Sequence, residues 1–148
     1  MIVMELEKFK HSILIKVRFS DLDAMGHVNN AAYLSYLEEA RIAYYDHVLG
    51  IDTNGLDFNA VVARIEIDYL EQIRLGDNVE VYTRTSRIGN KSSDVEHLVV
   101  VISEQSSRIA ARAITKLVSF DYKRNQTIPV PERERAVIEN FESGSLSV

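Results

Sequence analysis

The spacing of apolar positions changes twice along this chain, and each change marks a new element. Ile13, Leu14, Ile15, Val17 and Phe19 crowd a short segment and predict a first strand over Ser12 to Phe19. A polar stretch, Ser20 to Asn30, ends it. The period then lengthens. Tyr33, Tyr36, Leu37, Ala40, Ala43, Tyr44 and Val48 recur at helical spacing, while Ser35, Glu38, Glu39 and Asp46 fall largely off that face. Asn29 or Asn30 is a natural N-cap and Gly50 a natural stop, so a helix is expected from Tyr33 to about Val48. After a loop from Ile51 to Asn59, the two-residue period returns. Strands are predicted over Ala60 to Tyr69, Asn78 to Arg87, Ser92 to Ser103 and Ile109 to Tyr122, with turns at Gly76-Asp77, at Ile88 to Lys91 and at Glu104 to Ser107. Pro129 and Pro131 close the sheet region. Glu132 to Phe141 predicts a short charged helix, and residues 142–148 a frayed tail.

One strand, one long helix and four strands joined by short turns make an α+β layer, with an antiparallel sheet packed on a single helix. The 148 residues suit one domain, 1–148. One helix cannot cover both faces and every edge of such a sheet, so a partner is expected, most simply a second copy in a dimer with a continuous sheet.

Composition narrows the chemistry. The chain is 46% hydrophobic and 26% charged with a formal net charge of −5, which argues against a general nucleic-acid surface. It has no cysteine, which removes a cysteine nucleophile, a disulfide framework and thiolate metal sites. The four histidines show no ligand spacing, and no Gly-x-Ser-x-Gly elbow, phosphate-cradling loop or dinucleotide fingerprint occurs, so no metal and no cofactor is implied. Acids interrupt the N-terminus too early for a secretory segment, and no apolar run approaches a membrane span; a cytoplasmic location is expected.

The reactive groups concentrate in Arg18-Phe19-Ser20-Asp21-Leu22-Asp23-Ala24-Met25-Gly26-His27-Val28-Asn29-Asn30. Acids, a histidine and amides at the start of a helix suit chemistry on a carbonyl. The unbonded N–H groups of the first turn can hold an oxyanion, and a nearby carboxylate can attack or activate water. Read alone, Asp23 is a turn residue, since aspartate is favoured in turns. Asp21 reads as structural, bonding the amides of the turn. The tyrosine stripe reads as core. Arg84, Arg87, Lys91, Arg108, Arg112 and Lys116 read either as ordinary solvated strand charges or as a basic rim for a phosphate.

The run from Val17 to Tyr33, followed by Leu37-Glu38-Glu39-Ala40-Arg41, resembles the hotdog-fold acyl thioesterases of the 4-hydroxybenzoyl-CoA thioesterase group. Gly76-Asp77, Asn90-Lys91-Ser92 and Ile128-Pro129-Val130-Pro131-Glu132 are weaker points of likeness, and the resemblance covers about Ile13 to Arg135. It implies a hotdog fold, five antiparallel strands wrapped around one long helix, and a homodimer or homotetramer with active sites at subunit interfaces. It implies hydrolysis of thioesters of coenzyme A or acyl carrier protein. The catalytic carboxylate of the group maps onto Asp23, as nucleophile or general base, and its oxyanion donor onto the N–H near Asn30. His27, Asn29 and Asn30 are the expected oxyanion and orienting groups, and Tyr33, Lys91 and Ser92 the expected substrate-binding ones, the last two toward the CoA nucleotide. Members often carry a proline after the second strand, where this chain has Gln72. The alternative is a catalytically silent hotdog protein that binds acyl thioesters or serves as an assembly module. The hydratase pattern Asp-x-Asn-x-x-x-x-His is absent.

Overall fold

The computed structural model of the chain describes residues 2–51, 59–143 and 146. A short helix α1 (Ile2–Leu6) precedes strand β1 (His11–Lys16) and a single 3-10 turn (Phe19–Asp21). The long helix α2 (Asn30–Leu49) follows, then β2 (Ala60–Tyr69), β3 (Asn78–Ile88), β4 (Ser92–Ile102), β5 (Arg108–Asp121), β6 (Gln126–Thr127) and α3 (Glu132–Glu142).

The strands pair antiparallel in the order β1-β3-β4-β5-β2, and β6 adds two residues against β5. The sheet curls around α2, which is the hotdog architecture. Alternation decides which side chains meet the helix. On β3 these are Val79, Val81, Thr83 and Thr85; opposite them on β4 stand Val101, Val99, His97 and Val95. All eight are buried. The predicted tyrosine stripe is the other half of the core: Tyr33, Tyr36, Leu37, Ala40 and Tyr44 are at most 3% exposed. Burying side chains of this size is the main gain of the fold, at roughly 1.5–3 kcal/mol each for the large aliphatic and aromatic ones.

Two clusters divide this core. The first lies under the start of α2 and joins Tyr33, Tyr36 and Leu37 to β1, β3, β4 and β5. The second lies under its end, where Tyr44 and Tyr45 meet Ile88, Val95, Leu117 and Ile138 of α3. Between them, His97 is 1% exposed and its Nδ1 lies 3.0 Å from the Thr83 hydroxyl. Burial first, then the nearby Arg41 charge, lowers its pKa to about 3, which favours the neutral ring.

Several boundaries differ from those expected. The first strand ends at Lys16, not Phe19, because Arg18 turns the chain into the 3-10 segment through bonds to Asp21. The helix begins three residues early, at Asn30, capped by Asn29 and stopped by Gly50 at φ 65°. The short α1 and β6 were not expected. Glu142, placed in the frayed tail, is instead tied inward: its Oε2 accepts from the Thr85 N–H and the Tyr44 hydroxyl, both at 2.8 Å. The Ile88 N–H likewise reaches the Leu146 carbonyl at 2.9 Å. Most of the loop expected over Ile51 to Asn59, and the rest of the tail, lie outside the described residues. Among the described residues no helix is long and apolar enough to cross a membrane.

Candidate active site

The polar stretch between β1 and α2 folds as a tight hairpin. Leu22 bridges Val28, and the Asp23 N–H reaches the His27 carbonyl at 2.8 Å. The Gly26 N–H closes the turn on the Asp23 carbonyl at 3.1 Å, and Gly26 itself sits at φ 84°, a conformation open to glycine but costly for other residues. His27 also bridges Arg74, and the Val28 N–H bonds the Ile73 carbonyl at 2.8 Å, so the hairpin is stitched to the segment that follows β2.

The two carboxylates divide the work. Asp21 is 5% exposed. Its Oδ2 accepts from the Arg18 N–H at 2.9 Å and the Tyr36 hydroxyl at 2.8 Å, and its Oδ1 from the Arg18 guanidinium at 3.1 Å. Burial opposes its charge, but these donors outweigh burial and hold its carboxyl below the usual range. Burial and the Asp21 charge in turn push the Tyr36 phenol up. Both oxygens of Asp21 are engaged, by three donors in all, so it is a fastening of the turn, as its sequence reading suggested. Asp23 is different. Its Oδ1 accepts from the N–H groups of Met25 at 2.9 Å and His27 at 3.3 Å. Its Oδ2 has no partner among the described residues, and the side chain is half-buried at the mouth of a cleft.

That cleft holds about 280 Å³ and is lined by Asp23, His27, Val28, Asn30 and Tyr33 on one side, and by the segment from Tyr69 to Gln72 on the other. Asn29 caps α2 by accepting the Ala31 N–H on Oδ1 at 2.9 Å, while its own N–H bonds the Asp21 carbonyl at 2.7 Å. The next amide, that of Asn30, occupies the first helical position. It has no acceptor among the described residues, and it sits at the positive end of the twenty-residue α2. Asp23, with one carboxylate oxygen unpaired among the described residues, and Asn30, with an unclaimed, dipole-backed N–H, therefore line one cleft. Those are the two groups that acyl transfer needs: one to attack or take a proton, one to hold the oxygen that becomes negative.

Of the expected site residues, Asp23, His27, Asn30 and Tyr33 come together here. Asn29 does not line the cleft; its side-chain oxygen serves as the helix cap. Lys91 and Ser92 lie elsewhere. Tyr69 is level with Ala111 on β5, whereas the Lys91 carbonyl accepts the Ser119 N–H. Eight residues of β5 separate those levels, about 25 Å of strand. Within one chain Lys91 and Ser92 stand at the far end of the sheet from Asp23.

The expected basic rim is mostly neutralised. Arg84 pairs with Glu96, Arg87 and Lys116 with Asp94, Arg108 with Glu71 and Asp77, and Arg112 with Glu5. Of the six, only Lys91 makes no ion pair among the described residues. The cleft wall formed by Tyr69, Leu70 and Glu71 was missed as part of the site. Its one signal was the departure from the proline pattern at Gln72. Among the described residues no group of three His, Cys, Asp or Glu side chains is placed to hold a metal ion.

The sequence and the fold agree on the class. Residues 17–138 match the model of the Thioesterase-like superfamily, and the chain belongs to that superfamily of hotdog fold, in which relatives named as thioesterases occur. A solved thioesterase from Thermus thermophilus, complexed with coenzyme A and Zn, is 39% identical over 95% of this chain and 99% of its own, with a TM-score of 0.82. The long-chain acyl-CoA thioesterase FadM of Escherichia coli is 29% identical over 130 residues, 86% of this chain and 96% of FadM. A Bacillus subtilis protein, YsmA, is 34% identical over 84 residues, which span 57% of this chain and 56% of YsmA. The match is to the superfamily and does not single out the 4-hydroxybenzoyl-CoA thioesterase group within it.

Proposed function

We propose that the chain hydrolyses acyl thioesters of coenzyme A or acyl carrier protein in the cleft at the start of α2. The observation that carries this reading is the pairing of the open Oδ2 of Asp23 with the unclaimed Asn30 N–H. Asp23 acts on the thioester carbonyl carbon, directly or by taking a proton from water. The carbonyl oxygen becomes an oxyanion on the Asn30 amide. Collapse of the tetrahedral species breaks the carbon–sulfur bond and releases the thiolate. Direct attack gives a mixed anhydride that water then opens; the water route gives the acid at once. His27 borders the cleft and shapes its entrance. The names of FadM and the Thermus enzyme support acyl-CoA as the substrate class.

The working unit in this reading is a homodimer. β2 is an edge strand of ten residues with mostly exposed side chains, including Val62 at 45%. A long unpaired edge of this kind is a template for a second copy. Antiparallel pairing of two β2 strands sets the Ala60 end of one beside the Tyr69 end of the other. Lys91 of the partner subunit, a cation without an ion pair among the described residues, is thereby brought to the cleft end of the sheet, where it suits the phosphates of the nucleotide.

The test is direct. Purified protein is mixed with short, medium, long and aromatic acyl-CoAs and a thiol reagent, and free thiol is followed. Turnover of at least one substrate at rates far above the uncatalysed reaction is expected. Tight acyl-CoA binding without thiol release would establish the silent-binder alternative instead.

A further inference from the structure

Tyr69 is the last residue of β2, and it touches the site twice. Its ring stands edge-on to that of Tyr33, centroids 5.0 Å apart at 90°. Its hydroxyl donates to the Asn30 carbonyl at 2.9 Å. That carbonyl is the first of α2 and has two lone pairs, one for the helical N–H four residues on and one for a further donor. First turns of helices fray, because their own N–H groups have no intrahelical acceptor. In this chain the first turn is fastened on both sides. The Asp21 carbonyl holds the Asn29 N–H on one side, and the Tyr69 hydroxyl holds the Asn30 carbonyl on the other. The free Asn30 N–H lies between the two bonds.

We infer that Tyr69 is a positioning residue for the reaction: its hydroxyl anchors the opening turn of α2 to the end of β2 and so aims the Asn30 N–H at the developing oxyanion. This rests on the thioesterase reading above. The bond is made to the protein's own backbone and not to substrate. It therefore acts on the oxyanion, which forms only after binding, and leaves ground-state affinity alone.

The same strand supplies a matched control. At its other end the Ala60 carbonyl accepts the Tyr122 hydroxyl at 2.7 Å. Tyr122→Phe thus removes a tyrosine-to-backbone bond from β2 that involves no residue of α2, at the end of the strand away from its own chain's cleft. Wild type, Tyr69→Phe and Tyr122→Phe are compared for kcat and KM on the best acyl-CoA and for thermal stability. Tyr69→Phe keeps its ring against Tyr33, so it is expected to fold and to bind substrate with a KM within about twofold of wild type. Its kcat is expected to fall by about tenfold, the scale of one neutral hydrogen bond. Tyr122→Phe is expected to keep kcat. A Tyr69→Phe enzyme with wild-type kcat, with loss confined to KM, or with a loss no larger than that of Tyr122→Phe would overturn the inference while leaving the thioesterase reading standing. Absence of turnover in the wild type would overturn the thioesterase reading itself, and the role of Tyr69 with it.

Discussion

The two ends of α2 are built from similar residues and finished in opposite ways. At its C-terminal end, Tyr44 is fully buried and its hydroxyl meets both the Thr85 hydroxyl at 2.9 Å and the Glu142 carboxylate. The tip of α3 closes over it with Phe141, which stands edge-on to both Tyr44 and His47. The Tyr44 hydroxyl is paired off there and apolar surface is covered, although the buried Nδ1 of His11, packed against Tyr44 and His47, has no partner among the described residues. At the N-terminal end, Tyr33 and Tyr36 are equally buried, but the fold stops short of full pairing. Asp21 is bonded and Asn29 caps the helix, while one oxygen of Asp23 and the Asn30 N–H, both in residues that line the cleft, have no partner among the described residues. Buried or half-buried polar groups are ordinarily satisfied because leaving them bare costs free energy. In the function proposed above, the bare groups at the start of α2 are complementary to a carbonyl in reaction, which makes that end the place of chemistry and leaves the other to stability.

The largest effect should come from breaking the open end. Asp23→Asn keeps the shape of the turn and its Oδ1 bonds but removes the charge. It is expected to lower kcat by about two to four decades, with little change in melting temperature. Heavy-oxygen water resolves how Asp23 acts: the anhydride route can place label in Asp23 over repeated turnovers, whereas the water route leaves it unlabelled. Label in Asp23 establishes attack by the carboxylate.

The interior between the ends carries the next largest effect, and it concerns pH. His97 has a pKa lowered to about 3 in the folded protein, against 6.5 for the free side chain. Between those values the unfolded chain holds a proton that the folded one does not, so stability rises with pH and is lost as pH falls below about 6.5. The slope from this one group is at most about 1.4 kcal/mol per pH unit. Urea unfolding at stepped pH should show stability falling from about pH 6.5 toward about 4, and less steeply in His97→Gln. Identical slopes in the two proteins would mean that His97 titrates normally. Asp21 acts in the same direction only lower, within and below the ordinary aspartate range, because its folded pKa is depressed.

At the closed end, Glu142→Ala leaves the Thr85 N–H and the Tyr44 hydroxyl without their shared acceptor. A loss of about 1–3 kcal/mol in stability is expected, with kcat for acyl-CoA within about twofold of wild type. A fall in kcat as large as that from Asp23→Asn would show that the two ends are not separable. The smallest effect is expected for Lys91→Ala, an exposed cation in a turn. KM for acyl-CoA should rise by about two- to tenfold with kcat nearly unchanged, and the change should vanish with a pantetheine thioester that lacks the nucleotide. Equal effects on both substrates would place Lys91 away from the nucleotide.

How much of this could be read beforehand depended on the range of the interaction. The long strands and α2 were legible to within a few residues, because alternation, the tyrosine stripe and the turns at Gly76-Asp77 and Gly89-Asn90 are local signals. Asp21 was legible as structural from its place in the turn, whereas Asp23 read alone as a turn residue and received a chemical role only through the family resemblance. Helix α1 has five residues and too few periods to register, and β6 has two. The wall at Tyr69 to Gln72 was missed because only the fold carries the end of β2 to the start of α2. The ion pairs that neutralise five of the six basic residues depend on strand register, which a list of charges does not contain. Lys91 and Ser92 were grouped with Asp23 through the family resemblance alone. The register sets them at the other end of the sheet within one chain, and the proposed dimer is what would bring them back to the cleft.

The most direct test treats both ends of α2 in one experiment. Wild type, Asp23→Asn and Glu142→Ala are measured side by side for acyl-CoA turnover and for thermal unfolding. The account predicts a double dissociation: Asp23→Asn folds with nearly the wild-type melting temperature and loses at least about a hundredfold in kcat, while Glu142→Ala melts several degrees lower and keeps its turnover. A folded Asp23→Asn protein that hydrolyses acyl-CoA at close to the wild-type rate would contradict it.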